Sequence, residues 1–256
     1  MIPGILFYNF MDIFIKYVND RYIYIAPEDD CRVIVDFMLA VNYGEEFCVA
    51  GDFCPEFVAR MMEAGFLIMS VNAAEAGEEP WYVLLPKLHL VRSALFYENL
   101  HIKKSVRRFL KRYELRPDAE FERIIDRCVE THGYGWLTPP LVDCIKEIRR
   151  SARIGSPSSI SPALRPAPGA YPASFGLYRG GKLVAGEFGV VCGNIYTSYS
   201  GFYDEYNAGI VQIILAVRYL QEHGFAFLDF GMPLGYKTEL GAVDITPQEF
   251  IRLFRA

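Results

Sequence analysis

The stretch SFGLYRGGKLVAGEFGVVCGNIYTSYSGFY, Ser174 to Tyr203, constrains the fold more than any other part of the chain. Three runs rich in β-branched and aromatic residues are separated by Gly180-Gly181 and Gly193-Asn194, dipeptides that tolerate the positive φ of tight hairpin turns. An antiparallel meander follows. Beyond it, Asn207 to Gly224 sets Ile210, Ile213, Ile214, Val217 and Leu220 on one helical face. FLDF, Phe227 to Phe230, then reads as a strand lying beside the sheet. Meander, helix and strand predict an α+β domain with a mostly antiparallel sheet.

That last strand carries a puzzle. Asp229 stands in an apolar run that stops at Gly231 and Pro233, and an ionised carboxylate in a buried strand is costly unless something pairs with it. A cap on the turn, through the amide of Gly231 or Met232, is the structural way to satisfy it.

The remaining segments give the domain organisation. Pro55 to Gly65 predicts a helix that opens on Pro and stops at Gly. AAEAGEE, Ala73 to Glu79, reads as a connection, and the division falls at 1–82 and 83–256. IGSPSSISPALRPAPGAYP, 154–172, is too rich in Pro, Ser and Gly for helix or central strand and predicts a long surface loop. With 52% hydrophobic and 15% aromatic residues, a large core is possible. The apolar N-terminus, interrupted by Asp12 and Lys16, has neither the basic region nor the cleavage site of a signal peptide. No run reaches the ~18 uncharged apolar residues of a membrane span. A soluble, cytoplasmic chain with no membrane partner is expected. The six scattered cysteines fit reduced core thiols, with no metal site.

A net charge of −5 argues against non-specific coating of nucleic acid, yet LHIKKSVRRFLKRY, Leu100 to Tyr113, is a local exception. On a helix, Lys103, Lys104, Arg107, Arg108, Lys111 and Arg112 fill one half, while Ile102, Val106, Phe109, Leu110 and Tyr113 fill the other. Like charges this close repel by a few tenths of a kcal/mol per pair, and no acid intersperses them. A polyanion such as RNA is the natural partner; a merely solvated face and an anionic membrane are the alternatives. GLYRGGK, Gly176 to Lys182, imitates a phosphate loop but sits on a hairpin with no helix after it. His89, His101, His132 and His223 are dispersed, and no nucleophile elbow accompanies them.

With these residues in view, the chain resembles the bacterial leucyl/phenylalanyl-tRNA–protein transferases. The resemblance runs collinearly through CVAGDFCPEFVARMMEAG (48–65), LHIKKSVRRFLKR (100–112), GWLTPPLVDCIKEIRR (135–150), KLVAGEFGV (182–190), YNAG (206–209), HGFAFLDFG (223–231) and LGAVDITPQEF (240–250). It implies a small N-terminal domain followed by a larger GNAT-like acyltransferase domain. It also implies transfer of Leu or Phe from aminoacyl-tRNA to acceptors with an N-terminal Lys or Arg, with no cofactor. By the same resemblance, the basic stretch grips the acceptor stem, and Asp229 holds and orients the attacking α-amine. Trp136 packs near the terminal adenosine, where base stacking is worth ~1–3 kcal/mol; core packing is its other reading. Asn207 and Gly209 open the helix beside the site, where Asn is also a good N-cap.

Departures from the family pattern fall within the site. An acid is expected where Tyr199 stands in YSGFYD, the stretch that includes Ser200 and Gly201, and a proton-relay Gln where Gly231 stands. Met69 replaces a Trp, while Glu187 and Gly201 occupy positions that are apolar pocket residues in the family. An ionised, unpaired Glu187 would disfavour an apolar side chain by several kcal/mol. Three readings follow: a transferase with altered amino-acid choice, a related transferase with another amine acceptor or donor, and a non-catalytic tRNA-binding relative.

Overall fold

The computed structural model describes residues 5–10, 13–154 and 164–256. Its contacts divide the chain into two compact units, Met1–Leu90 with Tyr134–Glu147, and Val91–Gly133 with Ile148–Ala256.

The first unit holds strands β1 (Ile5–Phe10), β2 (Ile13–Val18) and β3 (Tyr22–Tyr24), paired in that order, and helices α1 (Cys31–Ala40) and α2 (Pro55–Glu63). Residues 1–4 and 11–12 of the apolar N-terminus lie outside the described residues. The predicted helix from Pro55 is present, and Gly65 ends it with φ 104°. Strands β4 (Leu67–Asn72) and β5 (Tyr82–Lys87) form an antiparallel hairpin, and the small acidic stretch from Ala73 is its loop.

In the second unit follow β6 (Arg92–Leu95), α3 (Lys104–Arg107), β7 (Glu114–Pro117) and α4 (Phe121–His132). Helix α5 (Pro139–Ile154) contains the division between the units, which falls after Glu147. Then come β8 (Ala167–Arg179), β9 (Lys182–Gly193), β10 (Ile195–Tyr203), α6 (Ala208–Glu222), β11 (Phe227–Gly231), α7 (Gly235–Glu239), β12 (Val243–Ile245) and α8 (Pro247–Phe254). One seven-stranded sheet runs β12-β6-β11-β10-β9-β8-β7, antiparallel throughout except for the parallel pair β10–β11. The meander is therefore as expected, and Gly180 and Gly181, at φ 56° and 79°, make its first turn. The architecture is the expected α+β arrangement with a mostly antiparallel sheet. One detail differs: β11 lies inside the sheet, hydrogen-bonded on both sides, rather than beside it.

Two expectations need correction. The Pro-rich stretch 154–172 is not wholly loop: residues 155–163 lie outside the described residues, but β8 already begins at Ala167. Its first half pairs with β9 alone, because β7 covers only Phe175 to Tyr178. Pro168 and Pro172 thus sit where a missing N–H costs no ladder bond on the open side. Of the cysteines, Cys54 is exposed, while the other five are buried and free.

The core of this unit packs α6 against the sheet, with Ile214, Val217 and Leu220 meeting Phe175, Leu177, Tyr196 and Leu228. Among the described residues, no helix is long and apolar enough to cross a membrane.

Candidate active site

Asp229 has a partner that periodicity did not reveal. Arg92, on the adjacent strand β6, donates Nε to both carboxylate oxygens at 3.0 Å and Nη2 to Oδ2 at 2.7 Å. Thr197 Oγ1 donates to Oδ2 at 2.8 Å, and the Gly231 amide to Oδ1 at 2.9 Å. The carboxylate is 0% exposed and Arg92 only 1%. The guanidinium carbon also stacks 3.6 Å from the centre of the Phe250 ring on α8. The turn-capping bond to Gly231 is thus real, but it accompanies a buried ion pair. A signal for Arg92 did exist: VRSALF is a second short apolar run with a single charge, of opposite sign to Asp229.

Asp229 marks the point where two strands part. β10 and β11 pair only through Ile195–Phe227, Tyr196–Leu228 and Thr197–Asp229, and both then continue unpaired with each other. On its far side β10 shifts register against β9 between Ser198 and Ser200, and β11 shifts between Asp229 and Gly231 against β6. Bulges bend strands, and the register shifts on the outer sides of both strands accompany the parting of the pair.

The expected residues cluster unevenly around it. Tyr199 is half-buried against Phe188, with ring centres 5.9 Å apart. The Ser200 carbonyl accepts from Cys128 Sγ at 3.4 Å, and the Gly201 carbonyl lies 2.8 Å from His132 Nε2. Asn207 is the N-cap residue of α6, as expected, but it holds a left-handed conformation at φ 64° and its side chain makes no cap bond. Glu187 on β9 stands in register with Gly201 and is 4% exposed. Burial pushes its carboxyl up to about 7, against the opposing effects of Ser198, Gln212 and Lys237. Ser198 Oγ donates to Oε2 at 3.0 Å.

Lys237 went unnoticed in the sequence. Its buried ammonium donates to the carbonyls of Phe230 at 2.8 Å and Met232 at 2.6 Å, pinning the chain where it leaves β11. Burial lowers it to about 8, and the charges of Asp229 and Glu187 act in the opposite direction.

Met69 and Trp136 belong to the first unit. The structure brings them near one another in the chain path: the Ser70 amide donates to the Trp136 carbonyl at 2.9 Å, and both side chains are half-buried.

The basic stretch is not the single helix expected. It forms α3 and a separate 3₁₀ turn at Leu110–Arg112. The preceding chain is extended, fixed by the His101 amide on the Leu240 carbonyl at 2.8 Å. No side chain caps α3 and no acid lies in its first turn, so nothing within the stretch itself offsets the repulsion of its six cations along a longer helix. Its apolar side still packs as expected, through Ile102, Val106, Phe109, Leu110 and Tyr113. Lys103, Lys104, Arg107, Arg108, Lys111 and Arg112 are all exposed. In space an acid does intervene, since Glu239 pairs with Lys103 at 2.7 Å. Among the described residues, no group of His, Cys, Asp and Glu is placed to hold a metal ion.

Known proteins bear on this geometry. The family described as leucyl/phenylalanyl-tRNA protein transferase matches residues 94–255. The leucyl/phenylalanyl-tRNA–protein transferase of Pseudomonas entomophila (strain L48) is 27% identical over 164 residues, 62% of this chain and 65% of that protein. That of Pseudomonas putida (strain W619) is 28% identical over 189 residues, 70% and 76% of the two chains. The match to the first therefore spans slightly less than two thirds of its length. Of solved structures, FemX is 10% identical and covers 98% of this chain and 86% of its own, at a TM-score of 0.43. A GCN5-related N-acetyltransferase from Kribbella flavida is 12% identical over 86% and 73%, at 0.36. At such scores neither carries an argument. The family match takes in the basic stretch, β10 and the strand end at Asp229, and the chain belongs to the leucyl/phenylalanyl-tRNA protein transferase family.

Proposed function

We propose that this chain is an aminoacyl-tRNA–protein transferase, moving an amino acid from the 3′ end of a charged tRNA to the N-terminal α-amine of an acceptor protein. The observation that carries the proposal is the family match over 94–255, which holds the exposed cations and the gap beyond Asp229 within one span. Aminolysis of the activated ester is downhill, so orientation and electrostatic stabilisation of the developing charges are the main demands on the protein. The exposed cations from Lys103 to Arg112 take the acceptor stem. The gap between β10 and β11 receives the reacting ends. Both oxygens of Asp229 are already held, so an amine could reach this carboxylate only by displacing Arg92 or Thr197. In this proposal Asp229 is a positioning residue: it fixes Thr197 and the Gly231 peptide at the point of strand separation. Acceptors bearing N-terminal Lys or Arg, and a role in marking proteins for degradation, belong to the same proposal by resemblance.

Incubation with a mixed pool of charged tRNAs and a Lys-initiated peptide, followed by mass spectrometry, tests it. A peptide gaining one aminoacyl residue is the expected result. An unmodified peptide, under conditions where the chain binds tRNA, overturns the transferase reading.

A further inference from the structure

Tyr206 and Tyr203 are 83% and 68% exposed, the highest values of any large hydrophobic side chain among the described residues. They stand three residues apart, where β10 ends and α6 begins. A Cβ at Gly209, in the first turn of α6, would lie 3.1 Å from the Tyr203 ring. Single exposed apolar residues are ordinary on a surface. Two aromatic rings this exposed and this close point to a binding face.

The turn joining β8 to β9 belongs to the same surface. Arg179 and Lys182 form the last register pair of that hairpin, and Arg179 Nη2 lies 2.7 Å from Glu205 Oε1. The other oxygen of Glu205 accepts from the Tyr113 hydroxyl at 3.1 Å. One carboxylate thus ties the turn, the end of the basic stretch and the chain between the two tyrosines together. Apart from its chain neighbours, nothing comes within 4 Å of a Cβ placed on Gly180 or Gly181, so the tip stands clear of the fold. GLYRGGK, an imitation of a phosphate loop in sequence, is an open cationic hairpin beside two exposed rings. The sign of the surface is set by the charges left over. Glu114 is held by Arg116 at 2.8 Å, Asp204 by Arg127 at 2.8 Å and Glu205 by Arg179. Lys111, Arg112 and Lys182 are exposed, with no acidic partner among the described residues.

Uncompensated cations beside exposed tyrosines suit a single-stranded nucleic acid, whose phosphates meet the charge and whose bases stack on the rings. A duplex keeps its bases paired and would leave the rings unused. A cationic peptide would need free acids here, and Asp204 and Glu205 are both engaged. Strand β10 joins this surface to the gap, since extended chain from Thr197 to Tyr203 spans about 20 Å. We propose that Lys182, Tyr203 and Tyr206, on the surface that Glu205 anchors, are a second RNA contact. It takes the unpaired nucleotides near the 3′ end of a tRNA whose paired stem lies on the cations from Lys103 to Arg112. The proposal rests on the transferase reading for the identity of its RNA, and RNA binding can be measured apart from transfer.

The probes are uncharged tRNA, the same tRNA trimmed of its unpaired 3′ nucleotides, and a blunt RNA duplex. Each is titrated by fluorescence anisotropy into wild type, Tyr203→Ser/Tyr206→Ser, Tyr203→Phe/Tyr206→Phe and Lys182→Ala proteins of verified fold. The serine variant should bind intact tRNA about fivefold or more weakly, and should match wild type on the trimmed tRNA and the duplex. The phenylalanine variant keeps both rings and should bind every probe as wild type does. Lys182→Ala should lower the log–log salt slope for intact tRNA by up to about 1. Equal losses for intact and trimmed tRNA, or no loss for either, overturn the proposal. So does a serine variant that binds RNA normally while its transfer to a Lys-initiated peptide falls, which would give this face to the acceptor. A transfer assay on wild type separates the two ideas. The expected RNA contrast without transfer from any charged tRNA refutes the transferase reading and leaves the surface assigned, whereas transfer without the contrast does the reverse.

Discussion

Truncating Arg92 to Met should reveal how much of this fold depends on one ion pair. Met keeps the apolar contact with Phe250 and removes three contacts to Asp229, leaving the carboxylate with Thr197 and the Gly231 amide. Breaking a buried pair from one side costs about 3–5 kcal/mol. An independent bound agrees: neutralising an ordinary aspartate at pH 7 takes about 4 kcal/mol, the product of ~1.36 kcal/mol per pH unit and ~3 units. Urea unfolding at pH 7 of wild type, Arg92→Met, Asp229→Leu and the double variant Arg92→Met/Asp229→Leu measures this. The double variant should recover at least ~2 kcal/mol relative to the sum of the singles. Single penalties below ~1 kcal/mol, or strict additivity, would refute the claim that the pair holds the strand end.

Three further outcomes are expected. Glu187 is raised from 4.5 to about 7, so the folded state keeps its proton longer than the unfolded chain; its stabilising contribution is complete below pH ~4.5 and lost as pH rises through about 7. Lys237, lowered to about 8, changes only above that window, so the stability difference between wild type and Glu187→Gln should fall by about 3 kcal/mol from pH 4.5 to 8 in urea titrations; a flat difference contradicts the burial argument. Arg107→Ala with Arg108→Ala should weaken tRNA binding and reduce the log–log salt slope by up to about 2, with thermal stability little changed; an unaltered slope removes these cations from the RNA contact. Gly189→Ala would bring a methyl to 2.2 Å from the Thr197 carbonyl, a backbone atom that cannot swing aside, and should cost at least ~1–3 kcal/mol and displace the Tyr196 ring, seen by near-ultraviolet circular dichroism.

Short-range order was legible in the residues. Pro55 and Gly65 delimit α2, the Gly180-Gly181 and Gly193-Asn194 dipeptides set out the meander, and the apolar spacing from Ile210 to Leu220 defines the buried face of α6. In each case the physical cause lies within a few residues of its effect: a positive φ, a missing N–H, a 3.6-residue period. The apolar flank of the basic stretch was equally visible, but its helix was not. Repulsion among its cations and the tie from His101 to Leu240 outweighed the local pattern. Pro168 and Pro172 misled in the opposite direction, since whether a proline is tolerated in a strand depends on which neighbour the strand has.

The residues by themselves determined that Asp229 is buried in a strand and must be satisfied. Only the tertiary structure decided by what, because Arg92 lies 137 positions away and reaches it through the placement of β6 beside β11. The same holds for Glu187: its chemical identity is local, but its readiness to keep a proton near neutrality comes from the sheet, α6 and α7 closing around it. Burial and pairing are properties of surroundings drawn from distant segments, and no window along the chain contains them.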